Sequence, residues 1–126
     1  MMSPSQEPAV HAPAVRRFKN PDYPELAGTL GELRQRIDAV DERIVALLAE
    51  RAACVRDATR FKRDAFQVAA PARQAQVVER VRALALPHAA AFPGFPDIVV
   101  SIYRTMVAGF VAGEGRLFEE TELIQR

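Results

Sequence analysis

"LGELRQRIDAVDERIVALLAERAACVRDATRFK", residues 30–62, contains no proline and a single glycine, Gly31, close to its start. Leu30, Leu33, Ile37, Val40, Ile44 and Leu47 recur at alternating spacings of three and four. That is the a/d seam of a coiled-coil-like helix, not the alternation of a strand. Thr29 and Glu32 fit a capping box, in which the Thr hydroxyl accepts from the backbone N–H three residues on and the Glu reaches back. The spacing predicts one helix from this cap to Lys62, about 34 residues and roughly 50 Å long. A compact domain of this chain length has a radius of gyration of about 14 Å and cannot cover such a rod. The seam therefore predicts a second copy of the helix as its partner, in an intertwined, two-fold symmetric homodimer.

Outward from this helix, residues 63–70 are small and polar and break the pattern. Pro71 then suits the first turn of a second helix, where its missing N–H is not needed. Val77, Val81 and Leu84 mark the expected buried face of that helix, and Pro87 its end. The loop PHAAAFPGFP, residues 87–96, leads to Asp97, a reasonable N-cap for a third helix from Ile98 toward Leu123. Val99, Tyr103, Met106, Val107, Phe110 and Leu117 form its inner stripe. The expected fold is all-α, three helices per chain with one very long, in a domain covering residues 29–126. Residues 1–28 hold five prolines, Pro4, Pro8, Pro13, Pro21 and Pro24, and read as a flexible or extended arm. Its RRFK cluster, residues 16–19, is basic.

Composition narrows the function classes. A 126-residue chain with 49% hydrophobic and 26% charged residues is ordinary for one globular domain. Seventeen Lys and Arg against 16 Asp and Glu give a formal charge of +1, so no global field argues for nucleic acid. One cysteine excludes an intrachain disulfide framework, and no Cys/His spacing suggests zinc. The first residues lack a continuous apolar run after a basic start, so neither a signal peptide nor a membrane span is indicated, and a cytoplasmic protein is the expectation.

Charges that interrupt the apolar faces carry the chemistry. Position 51 continues the seam by spacing, yet it is Arg51. Eleven residues on, Lys62 returns to within about 20° of the same face. Arg51, Val55, Ala58 and Lys62 thus share a stripe, with two cations about 16 Å apart at Cα and small residues between. Such a stripe is a cradle for a compact anion; the alternative is a surface pairing with Asp57 or Asp64. Arg73 shares its helix face with Val77 and Leu84 and adds a third inward cation. Arg34 lies roughly 25 Å from Arg51 along the helix, too far to serve the same site within one chain. In an antiparallel pair of helices it reaches the partner's site. Cys54 sits on the seam without a local His and reads as a buried structural thiol. No Gly-rich phosphate loop, HExxH motif or aromatic-interleaved basic patch competes. In "VAGFVAGEGRLF", residues 107–118, Glu114 is the one carboxylate.

These residues resemble a known family. LRQRIDAVDERIVALLAER (residues 33–51), TRFK (59–62), APAR (70–73) and a third apolar helix with a polar residue at 114 look like the all-helical, type II chorismate mutases. The resemblance covers about residues 28–118, and it implies an intertwined helical homodimer that rearranges chorismate to prephenate without cofactor. By that resemblance Arg51 and the partner's Arg34 hold the substrate carboxylates. Lys62 and Glu114 serve the ether oxygen, with Lys62 also on a carboxylate, and Arg73 faces the substrate. Gln74 and the apolar Val55, Ala58, Val77, Val107, Phe110 and Val111 are the remaining expected substrate contacts. The inventory suits a pericyclic reaction, which needs a dicarboxylate held compactly and donors at the oxygen that gains charge.

Two departures from the family pattern matter. Typical members carry an acidic pair near Arg73 for the substrate hydroxyl, where this chain has Ala70 and Gln74. Related isochorismate pyruvate lyases, which give salicylate and pyruvate, share the fold and show similar RFK and APxR runs; lyase activity is the alternative, and a non-catalytic helical binding module a third. The second departure is Glu114, where many members have Gln. A carboxyl group donates to an ether oxygen only when protonated. Apolar surroundings favour that form and nearby Lys62 and Arg51 oppose it.

Overall fold

The computed structural model describes residues 6–125. Pro4 of the arm and Arg126 at the end of the expected domain lie outside the described residues. The chain divides into two units, Met1–Ala49 and Glu50–Arg126, with the boundary inside the first helix. Three long helices, α1 (Leu30–Ala58), α3 (Pro71–Ala85) and α4 (Phe95–Phe118), are joined by a five-residue helix α2 (Ala65–Ala69) and two 3₁₀ turns, Thr59–Phe61 and Leu86–Ala91. Among the described residues there is no strand, only an isolated bridge between Pro13 and Thr29. The all-α expectation holds.

In the first unit, the cap at the start of α1 forms largely as its sequence implies. Thr29 Oγ1 accepts from the Glu32 N–H at 3.2 Å, while the Glu32 carboxylate accepts from Gly28 N–H, one residue before the cap. The arm packs on this start: Gly31 N–H donates to the Val10 carbonyl at 2.8 Å, and a Cβ at Gly31 would lie 3.1 Å from that oxygen. Arg36 donates to the Leu26 carbonyl, and Glu7 lies 4.0 Å from Arg34. Residues 6–28 contain no helix, as their prolines require, and the RRFK cluster is exposed. The seam residues Ile37, Val40, Ile44 and Leu47 remain 47–61% exposed.

In the second unit, α1 ends earlier than its apolar spacing implies. It stops at Ala58, a 3₁₀ turn follows, and Lys62 is extended with φ −99° and ψ 134°. The stretch expected to be irregular holds α2. Asp64 caps α2 by accepting from Gln67 N–H at 2.9 Å, and Gln67 accepts from Arg63 N–H at 2.6 Å, a variant of the capping box shifted by one residue as at the start of α1. Val68 buries α2, which packs on α4. Pro71 opens α3 as expected, preceded by Ala70 in the left-handed region at φ 43°.

The core lies between α3 and α4, where Val77, Val81, Val100 and Val107 form one buried cluster. Four expectations are corrected here. Leu84 is exposed, and Ala85, one turn beyond Val81, closes the buried face of α3. The helix α4 begins three residues before Ile98, behind Gly94 at φ 72°, because a left-handed residue there turns the chain directly into Phe95 and Pro96. Asp97 accordingly lies inside the first turn and pairs with Arg82 at 2.7 Å instead of capping. The helix also ends at Phe118, short of Leu123. By length and composition α4 is apolar enough to cross a membrane, but it packs along α3 and buries Val100, Val107 and Glu114.

Candidate active site

A cavity of about 310 Å³ lies in the second unit between the end of α1, the segment through α2, and the facing sides of α3 and α4. Three features of local sequence bring charge into it. Arg51 reaches it from the last turns of α1; its guanidinium carbon lies 5.9 Å from the Tyr103 ring centroid and 5.6 Å from that of Phe110. Two aromatic faces thus hold a planar cation whose donors stay free for an anion. Lys62 enters because the chain leaves the helix before it: the extended residue turns its side chain to Glu114, with Nζ 3.3 Å from Oε2. Arg73 comes from the first turn of α3, at an exposed edge of the cavity, and donates to Gln76 at 2.6 Å.

Glu114 is 4% exposed. Its Oε2 accepts from Thr59 Oγ1 at 3.2 Å as well as facing Lys62. A carboxyl group this enclosed is tolerated because both contacts compensate the loss of water. The alternative partners for the cations are otherwise occupied. Asp57 pairs with Arg60 at 3.0 Å and Asp64 caps α2. Among the described residues, neither Arg51 nor Arg73 has a carboxylate partner. The cavity is therefore a largely uncompensated cationic site with one internal acid.

The apolar lining comes from both sides: Val55 and Ala58 from α1, Val77 from α3, and Val107, Phe110 and Val111 from α4. Gln74 also lines it, with its amide nitrogen donating to the Ala69 carbonyl, which leaves its side-chain oxygen and a second N–H.

A model of the chorismate mutase type II family matches residues 33–115, about two thirds of the chain, from the first turn of α1 to one residue past Glu114. The chain belongs to the type II chorismate mutase family. No curated protein and no solved structure gives a significant match. The placement of the twelve expected site residues divides cleanly. Eleven line the single cavity just described, and Arg34, in the first unit, does not. Within its own unit Arg34 is half-exposed and, among the described residues, its carboxylate neighbour is Glu7.

Several residues of the site went unread in the sequence. Cys54, expected to be buried, is exposed and lines the cavity. Thr59 carried no periodic signal and was visible only as the first letter of TRFK. Tyr103 was read as core, and it is partly buried, yet it also stacks on Arg51. Val68, Ala69 and Ala70 line the cavity through α2, which the break in apolar spacing concealed.

Proposed function

We propose that the protein is a chorismate mutase, which rearranges chorismate to prephenate in the cavity of the second unit. The observation that carries this reading is the meeting of Arg51, Lys62 and Glu114 around one small apolar chamber. In the rearrangement the ether C–O bond breaks as a C–C bond forms within the same molecule. No nucleophile or external electron is needed, and the barrier falls when the compact conformer is held and the ether oxygen meets donors as it gains charge. Arg51 binds one carboxylate, braced by Tyr103 and Phe110. Lys62 bridges the ether oxygen and a carboxylate, and Glu114, as the neutral acid, donates to the same oxygen. Arg73 and the oxygen of Gln74 serve the open edge and the ring hydroxyl. Val55, Ala58, Val77, Val107 and Val111 exclude water and enforce the folded conformer.

The second carboxylate falls to Arg34 of a second copy. Support for a homodimer comes from the exposed seam of Ile37, Val40, Ile44 and Leu47. Burying the exposed half of each of these side chains is worth about 1 kcal/mol. Arg34 is not among the residues that line the cavity, and this reading assigns it to the partner's site.

One observation favours a second reading, an isochorismate pyruvate lyase. The place of an acidic pair for the ring hydroxyl is taken by Ala70 and a Gln74 whose amide is already engaged. Incubation with chorismate and isochorismate in separate reactions, with identification of products, tests both. Prephenate from chorismate is the expected result. Salicylate with pyruvate from isochorismate would establish the lyase, and turnover of neither would leave a binding module.

A further inference from the structure

Thr59 is 2% exposed, more deeply enclosed than Glu114 itself. It opens the 3₁₀ turn three residues before Lys62, and its hydroxyl oxygen lies 3.2 Å from Glu114 Oε2 and 3.2 Å from the Val55 carbonyl. A hydroxyl carries one proton and cannot donate to both acceptors at once. Lys62 Nζ addresses the same Oε2 at 3.3 Å. With the hydroxyl proton on Glu114, the two lone-pair positions of Oε2 are filled by two donors. A proton on the carboxyl group then resides on Oε1. A glutamine amide at this position would be sorted in the same way, its oxygen on Thr59 and Lys62 and its NH₂ at the other end.

Lys62 alone cannot hold this arrangement. Its ammonium sits on a flexible four-carbon stem and is drawn to an anionic substrate. Thr59 is short, β-branched and restricted at χ1, so its hydroxyl stays in place. We infer that Thr59 is a positioning residue for Glu114: its hydroxyl keeps Oε2 as the accepting end of the carboxyl group and leaves Oε1 as the end that donates to substrate. The inference rests on the reading of the cavity as the site of chorismate rearrangement.

The test is steady-state kinetics with chorismate on the full chain. Thr59→Val replaces the hydroxyl by a methyl group of the same shape, and Thr59→Ser keeps it. The valine variant should retain the helical circular dichroism and a KM within about twofold of wild type while kcat falls roughly tenfold, the effect of one lost hydrogen bond to a reacting group. The serine variant should recover most of that loss. In a Glu114→Ala background Thr59→Val should cost nothing more, since the two residues act as one unit. If Thr59→Val does not fold, Thr59→Cys, a weaker donor of similar size, carries the same comparison. An unchanged kcat, failure of Ser to rescue, or an equal loss in the Glu114→Ala background would overturn the inference in an enzyme that turns chorismate over. A wild-type chain without chorismate turnover would overturn the reading of the cavity instead, and the inference with it.

Discussion

Glu114 and Arg51 were legible for the same reason: each is a charge where the apolar pattern demands none. The structure gives both a physical setting, the acid between Thr59 and Lys62 and the guanidinium between two aromatic rings. Thr59 was not legible, because a hydroxyl at a helix end is compatible with solvent, a cap or a core, and only the three-dimensional meeting of α1's end with α4 distinguishes them. Glu114 donates only as the neutral acid, whereas glutamine donates at every pH. Glu114→Gln should therefore remain active in chorismate turnover, while Glu114→Ala, which offers no donor, should lose at least about tenfold in kcat. Steady-state kinetics on the two variants check this, and an alanine variant as active as the wild type would count against Glu114 as the donor.

At the scale of elements, starts were read better than ends. The capping residues Thr29 and Glu32 announce α1, and Pro71 announces α3, because these side chains act locally. The end of α1 is set by packing of Thr59 under α4, and the start of α4 by left-handed Gly94; neither has a periodic signature. Ala70 is the clearest case. It joins α2 to α3 in the left-handed region, which a residue with a Cβ adopts at a cost of roughly 1–2 kcal/mol. Part of that cost is offset by the larger chain entropy glycine loses on folding, so Ala70→Gly should stabilise the fold by about 0.5–1 kcal/mol. Urea denaturation reads this as a higher midpoint at unchanged slope. A lower midpoint would mean that the alanine methyl at the cavity wall contributes more than its backbone strain costs.

For the whole molecule, the all-α class followed from one sustained seam, and the same seam implies what one copy lacks. Ile37, Val40, Ile44 and Leu47 form a stripe that a single chain leaves largely exposed, and Arg34 lies outside the cavity that holds the other eleven expected site residues. The shared site proposed above, in a homodimer, would account for both. Arg34→Ala and Arg51→Ala chains should each lose at least about 100-fold in activity, since each removes a cation from every site. Coexpressed, the two variants should form mixed dimers in which one of the two sites regains both arginines, restoring roughly a quarter of wild-type activity at random pairing. Prephenate formation from chorismate by the purified mixture is the most direct measurement of the central claim. Recovery to that level is the predicted result; a mixture as inactive as its parents, beside an active wild type, would contradict a site built from two copies of this chain.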